Sequence, residues 1–343
     1  MAPSTTPSMA PFAKVVVDVM RKLYPESLAD KSFDNTGLLL EAPAKPSEQL
    51  RQRALLTVDL TKAVADEAIS GGVSIIVSYH PIIFRGLKSL TLQDPQQQTL
   101  LRLAQEGISV YSPHTAVDTV PGGMADWLCD IVAGRIEPAE DTVNISGPSS
   151  SSFYSGIMIP RYRPNRGLVS GTFPTYTTIH PSPEPVPPGF ESAGAGRLLT
   201  FDTPQPLSLL IDRIGRCLGS PQAFSVAVPQ GANVSDISIR TVGVCPGSGS
   251  SVLMKANPLP DLLFTGELSH HDALAAIERG SAVVTVFHSN SERGYLHDRM
   301  RDQLEVAIKE HLREAGAEEE FQGFEVLVSQ KDRDPYGVVV RKE

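Results

Sequence analysis

Two imidazoles and two carboxylates, His80, Asp118, His288 and Glu292, are placed along this 343-residue chain where nitrogen and oxygen donors can converge on one cation. Such a mixed set suits Zn, Mn, Fe or a related divalent ion. The run Val73 to Ser78 leads straight into Tyr79-His80-Pro81. The next strand-like run ends in Ser112-Pro113-His114-Thr115, and Asp118 follows a short turn later. In the second half, Val283 to Phe287 ends at His288, and the N-cap residue types Ser289, Asn290 and Ser291 lead to Glu292. A helix opening there brings His288 and Glu292 together within one turn. Ligands in open α/β sheets bind at the carboxyl ends of strands. Taken singly, His80 reads as a capping or core histidine. Asp118 alone reads as a turn residue, and His288 with Glu292 as a strand-to-helix junction. The metal reading rests on their common position at strand ends.

Two further segments carry a weaker signal. Gly266-Glu267-Leu268-Ser269-His270-His271 follows another strand-like run, so Glu267 and His271 either support the site or open a solvated helix. Cys245-Pro246-Gly247-Ser248-Gly249-Ser250 either aims backbone N–H groups at an anion or makes a plain tight turn.

The elements that must position these groups alternate strand and helix. Apolar residues at helical spacing over Phe12 to Tyr24 give a first helix, which Pro25 ends. Ala54 to Leu60, Val73 to Ser78 and Ile108 to Ser112 read as buried strands. Pro95 to Glu106 reads as a helix capped by Asp94, and Met124 to Val132 as another. This alternation predicts an α/β protein with a mostly parallel sheet covered on both faces. Around 144–194 the composition turns to Pro, Ser, Gly and Thr, with a serine run at Ser149–Ser152, which predicts an irregular surface segment. Regular texture then returns. A helix is expected over Leu207 to Leu218, and strands at Ile237–Val244, Leu262–Thr265, Ala282–Phe287 and Phe324–Ser329. Further helices are expected at Asp272–Glu278 and Leu296–Ala315. The resulting division is an N-terminal α/β half at 10–137, an irregular insertion at 138–194 and a C-terminal α/β half at 195–335, the two halves forming one composite domain.

Composition narrows the function classes. Apolar residues make up 41 % and charged residues 20 %, as in a globular protein with a core. A net charge of −9 argues against a uniformly basic face for direct nucleic-acid binding. Cys129, Cys217 and Cys245 are dispersed, which points to a reducing compartment. The longest apolar runs are strand length, too short to cross a membrane as helices. Met1 to Pro11 lacks the apolar core of a secretory signal and the arginines of a transit peptide. The expected location is the cytoplasm, with the nucleus or the mitochondrion as alternatives.

Five segments in order resemble the Nif-three-like family (Ngg-one-interacting factor three), some of whose bacterial members carry the label GTP cyclohydrolase I type 2. They are Phe33-Asp34-Asn35-Thr36-Gly37-Leu38, Ser78-Tyr79-His80-Pro81-Ile82-Ile83-Phe84, Tyr111 through Asp118, Thr265 through His271, and His288-Ser289-Asn290-Ser291-Glu292-Arg293. The resemblance implies two intertwined α/β lobes with a metal cleft between them, and a homo-oligomer. It implies His80, Asp118, His288 and Glu292 as ligands of one or two divalent ions, with His114, Glu267 and His271 beside them. Tyr79 departs from the bacterial pattern, which has a second histidine there; the eukaryotic branch fits better. Two functions follow. One is a metal-dependent hydrolase of a nucleotide or phosphoester-like substrate, with Glu267 or His114 moving protons. The other is a non-catalytic metal-binding regulator or scaffold for protein partners such as transcription factors.

Overall fold

Arg53–Thr57, Ile75–Ser78 and Ser109–Ser112 are short, mostly aliphatic and buried almost throughout, the pattern of strands covered on both faces. A computed structural model describes residues 8–44, 52–138, 154–158, 164–165, 167–221 and 223–341. The chain forms two compact units, Met1–Val117 with Arg299–Asp332, and Asp118–Asp298 with Arg333–Glu343.

In the first unit those strands are the parallel centre of a five-stranded sheet. Gly37–Leu40 joins one edge antiparallel to Ser109–Ser112, and Glu325–Val328 joins the other edge parallel to Arg53–Thr57. Leu55, Ile76 and Val110 pack with Val64, Ala68, Leu100 and Leu103 of the helices Lys62–Ser70 and Pro95–Glu106. The alternating residues Ala54, Leu56, Ile75 and Val77 are equally buried. Asp94 caps Pro95–Glu106 as expected, its Oδ1 accepting from Gln97 N at 2.9 Å. The strand predicted to reach Leu60 stops at Thr57, because Val58 N turns to the Asp332 carboxylate at 2.8 Å.

The second unit holds a six-stranded mixed sheet, in the order Ser225–Ala227, Ala282–Thr285, Leu262–Glu267, Ser238–Ser248, Gly194–Pro206 and Tyr176–Pro181. Only its three central strands run parallel, because the 176–181 and 194–206 strands add an antiparallel edge. The expected irregular segment therefore ends in regular structure, with Tyr176–Pro181 as an edge strand. Ser149–Ser152 lies outside the described residues.

One expectation about the C-terminal part changes. The helix predicted over Leu296–Ala315 is a π-helical turn at Leu296–Met300 followed by an α-helix at Arg301–Ala315. The compact units divide the chain after Val117, Asp298 and Asp332. Arg301–Ala315 packs on Pro11–Leu23 and Glu325–Val328 completes the first sheet, so the chain returns to its beginning. Among the described residues no helix is long and apolar enough to cross a membrane.

Within the second unit, Arg197 is 2 % exposed. Its Nε donates to Asp126, Nη1 to the carbonyls of Gly194 (2.7 Å) and Gly196 (3.0 Å), and Nη2 to those of Thr119 (3.2 Å) and Val120 (3.3 Å). Asp126 Oδ2 also accepts from Gly122 N at 2.6 Å. The turn that directly follows Asp118 is thus anchored from both sides. Arg197→Met should lower unfolding free energy by about 3–5 kcal/mol, because it strands a buried carboxylate; a urea titration against wild type reads the loss.

Candidate metal centre

Three adjacent parallel strands of the first unit deliver polar side chains at their carboxyl ends. Tyr79 and His80 follow Ile75–Ser78, Asp59 follows Arg53–Thr57, and His114 follows Ser109–Ser112. His80 Nδ1 lies 2.9 Å from Asp59 Oδ1. An ionised carboxylate only accepts, so this contact calls for a proton on Nδ1. His114, at φ +35°, makes the same kind of pair, with Nδ1 2.6 Å from Asp34 Oδ1. Asp34 has no exposed side-chain surface. It accepts also from Asn35 N (2.7 Å), Thr115 N (3.2 Å) and the Thr115 hydroxyl. Burial pushes the Asp34 carboxyl up, but the hydrogen bond and charge of His114 and the Thr115 donors outweigh it and hold the group below the usual carboxylate range. Tyr79 is buried and meets the His114 ring edge-on at 5.4 Å.

The second unit repeats this arrangement with other residues. Glu267 ends Leu262–Glu267, His288 follows Ala282–Thr285, and Gly247 lies near the end of Ser238–Ser248. His288 Nδ1 stands 3.3 Å from Glu267 Oε2, and its Nε2 stands 3.4 Å from Glu292 Oε1. The turn Ser289–Ser291 closes this His288–Glu292 step, as expected from the spacing. Ser291 Oγ donates to His288 O at 2.6 Å and accepts from Gly247 N at 2.9 Å. Ser289 Oγ donates to Asp334 at 2.8 Å. Phe287, just before His288, holds φ +70°, a costly conformation for a non-glycine residue.

Glycines make room for the donors. A Cβ on Gly247 would stand 2.7 Å from Glu292 Oε1 and 3.0 Å from His288 Nε2. One on Gly266 would stand 2.9 Å from His288 Cα. Gly247 and Gly249 spend their N–H groups on Ser291 Oγ and Glu267 O, so the anion-cradle reading of the 245–250 segment gives way to a structural one. Burial, then the charges of Asp118 and Glu292, push the Cys245 thiol far up. It remains a neutral thiol, and both carboxylates act on it. Asp118 itself lies on the short helix Thr115–Thr119. His271 lies in the first turn of His270–Glu278, next to Asp272.

His80 in the first unit, and His288 with buried Glu292 in the second, are donors of the kinds that hold a metal ion. Imidazole and carboxylate donors fit a divalent cation, and the Gly247 cradle leaves space at the donor atoms of His288 and Glu292. Sequence reasoning gave no part to Asp59, although it stands two residues past a strand end, nor to Asp34 within its motif.

An α/β fold with imidazole and carboxylate donors at strand ends defines the class, and the comparisons define the family. A family model described as Duf34/NIF3 (NGG1p interacting factor 3) matches residues 12–335. The Protein NIF3 homolog of Schizosaccharomyces pombe is 40 % identical over 329 residues, covering 96 % of this chain and 98 % of its own. The NGG1-interacting factor 3 of Saccharomyces cerevisiae is 35 % identical, covering 94 % and 96 %. The NIF3-like protein 1 of Homo sapiens is 30 % identical, covering 90 % and 88 %. A solved Bacillus cereus protein related to NIF3 has a TM-score of 0.65 at 19 % identity, covering 94 % of this chain and 98 % of that one. This chain belongs to the Duf34/NIF3 family, in its eukaryotic branch.

Two outcomes test the geometry. Gly247→Ala should cost about 1–2 kcal/mol for the left-handed backbone alone and weaken zinc binding by crowding His288 and Glu292; calorimetric melting and zinc titration read the two effects. Asp34 has a folded pKa below its unfolded one, so its stabilisation is present above about pH 4. It disappears as pH falls through the folded value. The stability deficit of Asp34→Asn should therefore be full at pH 7 and shrink in acid, as urea midpoints at several pH values would show.

Proposed function

We propose that this chain is a divalent-metal-dependent hydrolase of a nucleotide or phosphoester-like substrate. The observation that carries the reading is that each unit presents metal donors at its strand ends, His80 in one and His288 with Glu292 in the other. A divalent ion held by these residues would supply Lewis acidity for a hydrolytic displacement. The chain's own residues do the rest. Asp59 and Glu267 face Nδ1 of His80 and His288. Glu267 is about half exposed (51 %) and can exchange a proton with substrate or solvent. His114, backed by buried Asp34, is a second proton carrier. Asp118 would serve as a further ligand. Three free, buried cysteines suit a reducing compartment such as the cytoplasm.

A second reading has its own support. Tyr79 is a buried phenol, and phenols are poor ligands near neutral pH. The yeast relative is named for an interaction with NGG1. Both favour a metal-binding regulator that docks protein partners.

Elemental analysis of purified wild type and of a His288→Ala, Glu292→Ala double variant tests the ligands. Wild type should hold at least one tight ion per chain and the double variant far less; equal contents would end the ligand assignment. A hydrolysis screen over nucleotides and phosphoesters, with and without chelator, then separates the readings. Chelator-sensitive turnover supports the hydrolase, and metal-replete protein without turnover supports the regulator.

A further inference from the structure

We propose that Asp59 is a positioning residue that sets the tautomer of His80, so that Nε2 is the atom this imidazole offers to a cation. The proposal rests on the metal reading above and adds a residue to it. The two side chains belong to neighbouring parallel strands paired in register, Thr57 opposite Ser78. Beyond the ladder the backbone on both sides stays fixed. His80 N donates to Val58 O at 3.0 Å, and Ser78 Oγ to His80 O at 2.7 Å. Thr57 Oγ1 and Thr61 N both donate to Asp59 O at 3.0 Å. The carboxylate therefore meets the ring from a braced position, with Oδ1 2.9 Å from Nδ1.

A surface ion pair would explain the contact equally well if His80 had no further task, and such pairs contribute little. Two observations favour positioning. His80 is the first unit's metal donor in the reading above and would offer one ring nitrogen. His288, a donor of the second unit, has its Nδ1 against Glu267 and its Nε2 toward Glu292. Both imidazoles thus turn Nδ1 to a carboxylate, the arrangement that orients histidine ligands and raises their basicity.

Long-range proton–nitrogen spectra of metal-free, ¹⁵N-histidine-labelled protein read the tautomer directly, with His80 assigned by its loss in His80→Gln. The wild-type ring should carry its proton on Nδ1. Asp59→Ala should move the proton toward Nε2 and weaken zinc binding tenfold to a hundredfold. Asp59→Asn should recover part of the affinity, since its amide oxygen still accepts from Nδ1. A wild-type ring protonated on Nε2 would overturn the proposal, as would Asp59→Ala protein that binds zinc as tightly as wild type. The two readings fail separately: wild type that binds no zinc removes the metal function itself, whereas tight zinc binding unaffected at Asp59 removes only the positioning role.

Discussion

The guanidinium of Arg197 is the constraint on which the turn after Asp118 in the second unit depends. It is nearly excluded from water, and such a charge is tolerable only when its donors are used. Here they engage a carboxylate and four carbonyls. Two of those carbonyls belong to Thr119 and Val120, immediately after Asp118. Tyr295, three residues after Glu292, reaches the same turn through its hydroxyl on Gly122 O at 3.2 Å. Packing, charge burial and the placement of functional side chains are thus one problem within this unit.

Each unit solves the problem of presenting imidazoles in the same way. Three parallel strands end side by side, and the chain leaves the sheet carrying a histidine on one strand and an acid on its neighbour. The ladder fixes the strand ends, and the hydrogen bond across them fixes the ring. Parallel sheets buried on both faces supply stiff ground for this, since the strands cannot slip without exposing one aliphatic face.

Much of this was legible in the sequence because aliphatic runs ending in His80, His114 and His288 read the same way in one dimension as in three. The Asp94 cap and the His288–Glu292 turn were legible for a like reason, being local. Non-local features were not. The pairing of Asp59 with His80 depends on which strands are neighbours, and the return of Glu325–Val328 to Arg53–Thr57 joins segments at opposite ends of the chain. The strand at Tyr176–Pro181 was hidden because an edge strand tolerates polar residues and proline, the composition also expected of a loop. The π turn at Leu296–Met300 leaves no mark on apolar spacing that separates it from an ordinary helix.

The late arrival of Glu325–Val328 has a consequence for how the polypeptide acquires its form. During synthesis the strands of the first sheet emerge early, yet Arg53–Thr57 gains its outer neighbour only after some 270 further residues. Until then its edge is open to wrong pairing. The six strands between 176 and 285 can meanwhile assemble from segments already available. The five-stranded sheet begun first is therefore completed after the six-stranded one, and a chaperone acting on the nascent chain would find its target at that uncovered edge.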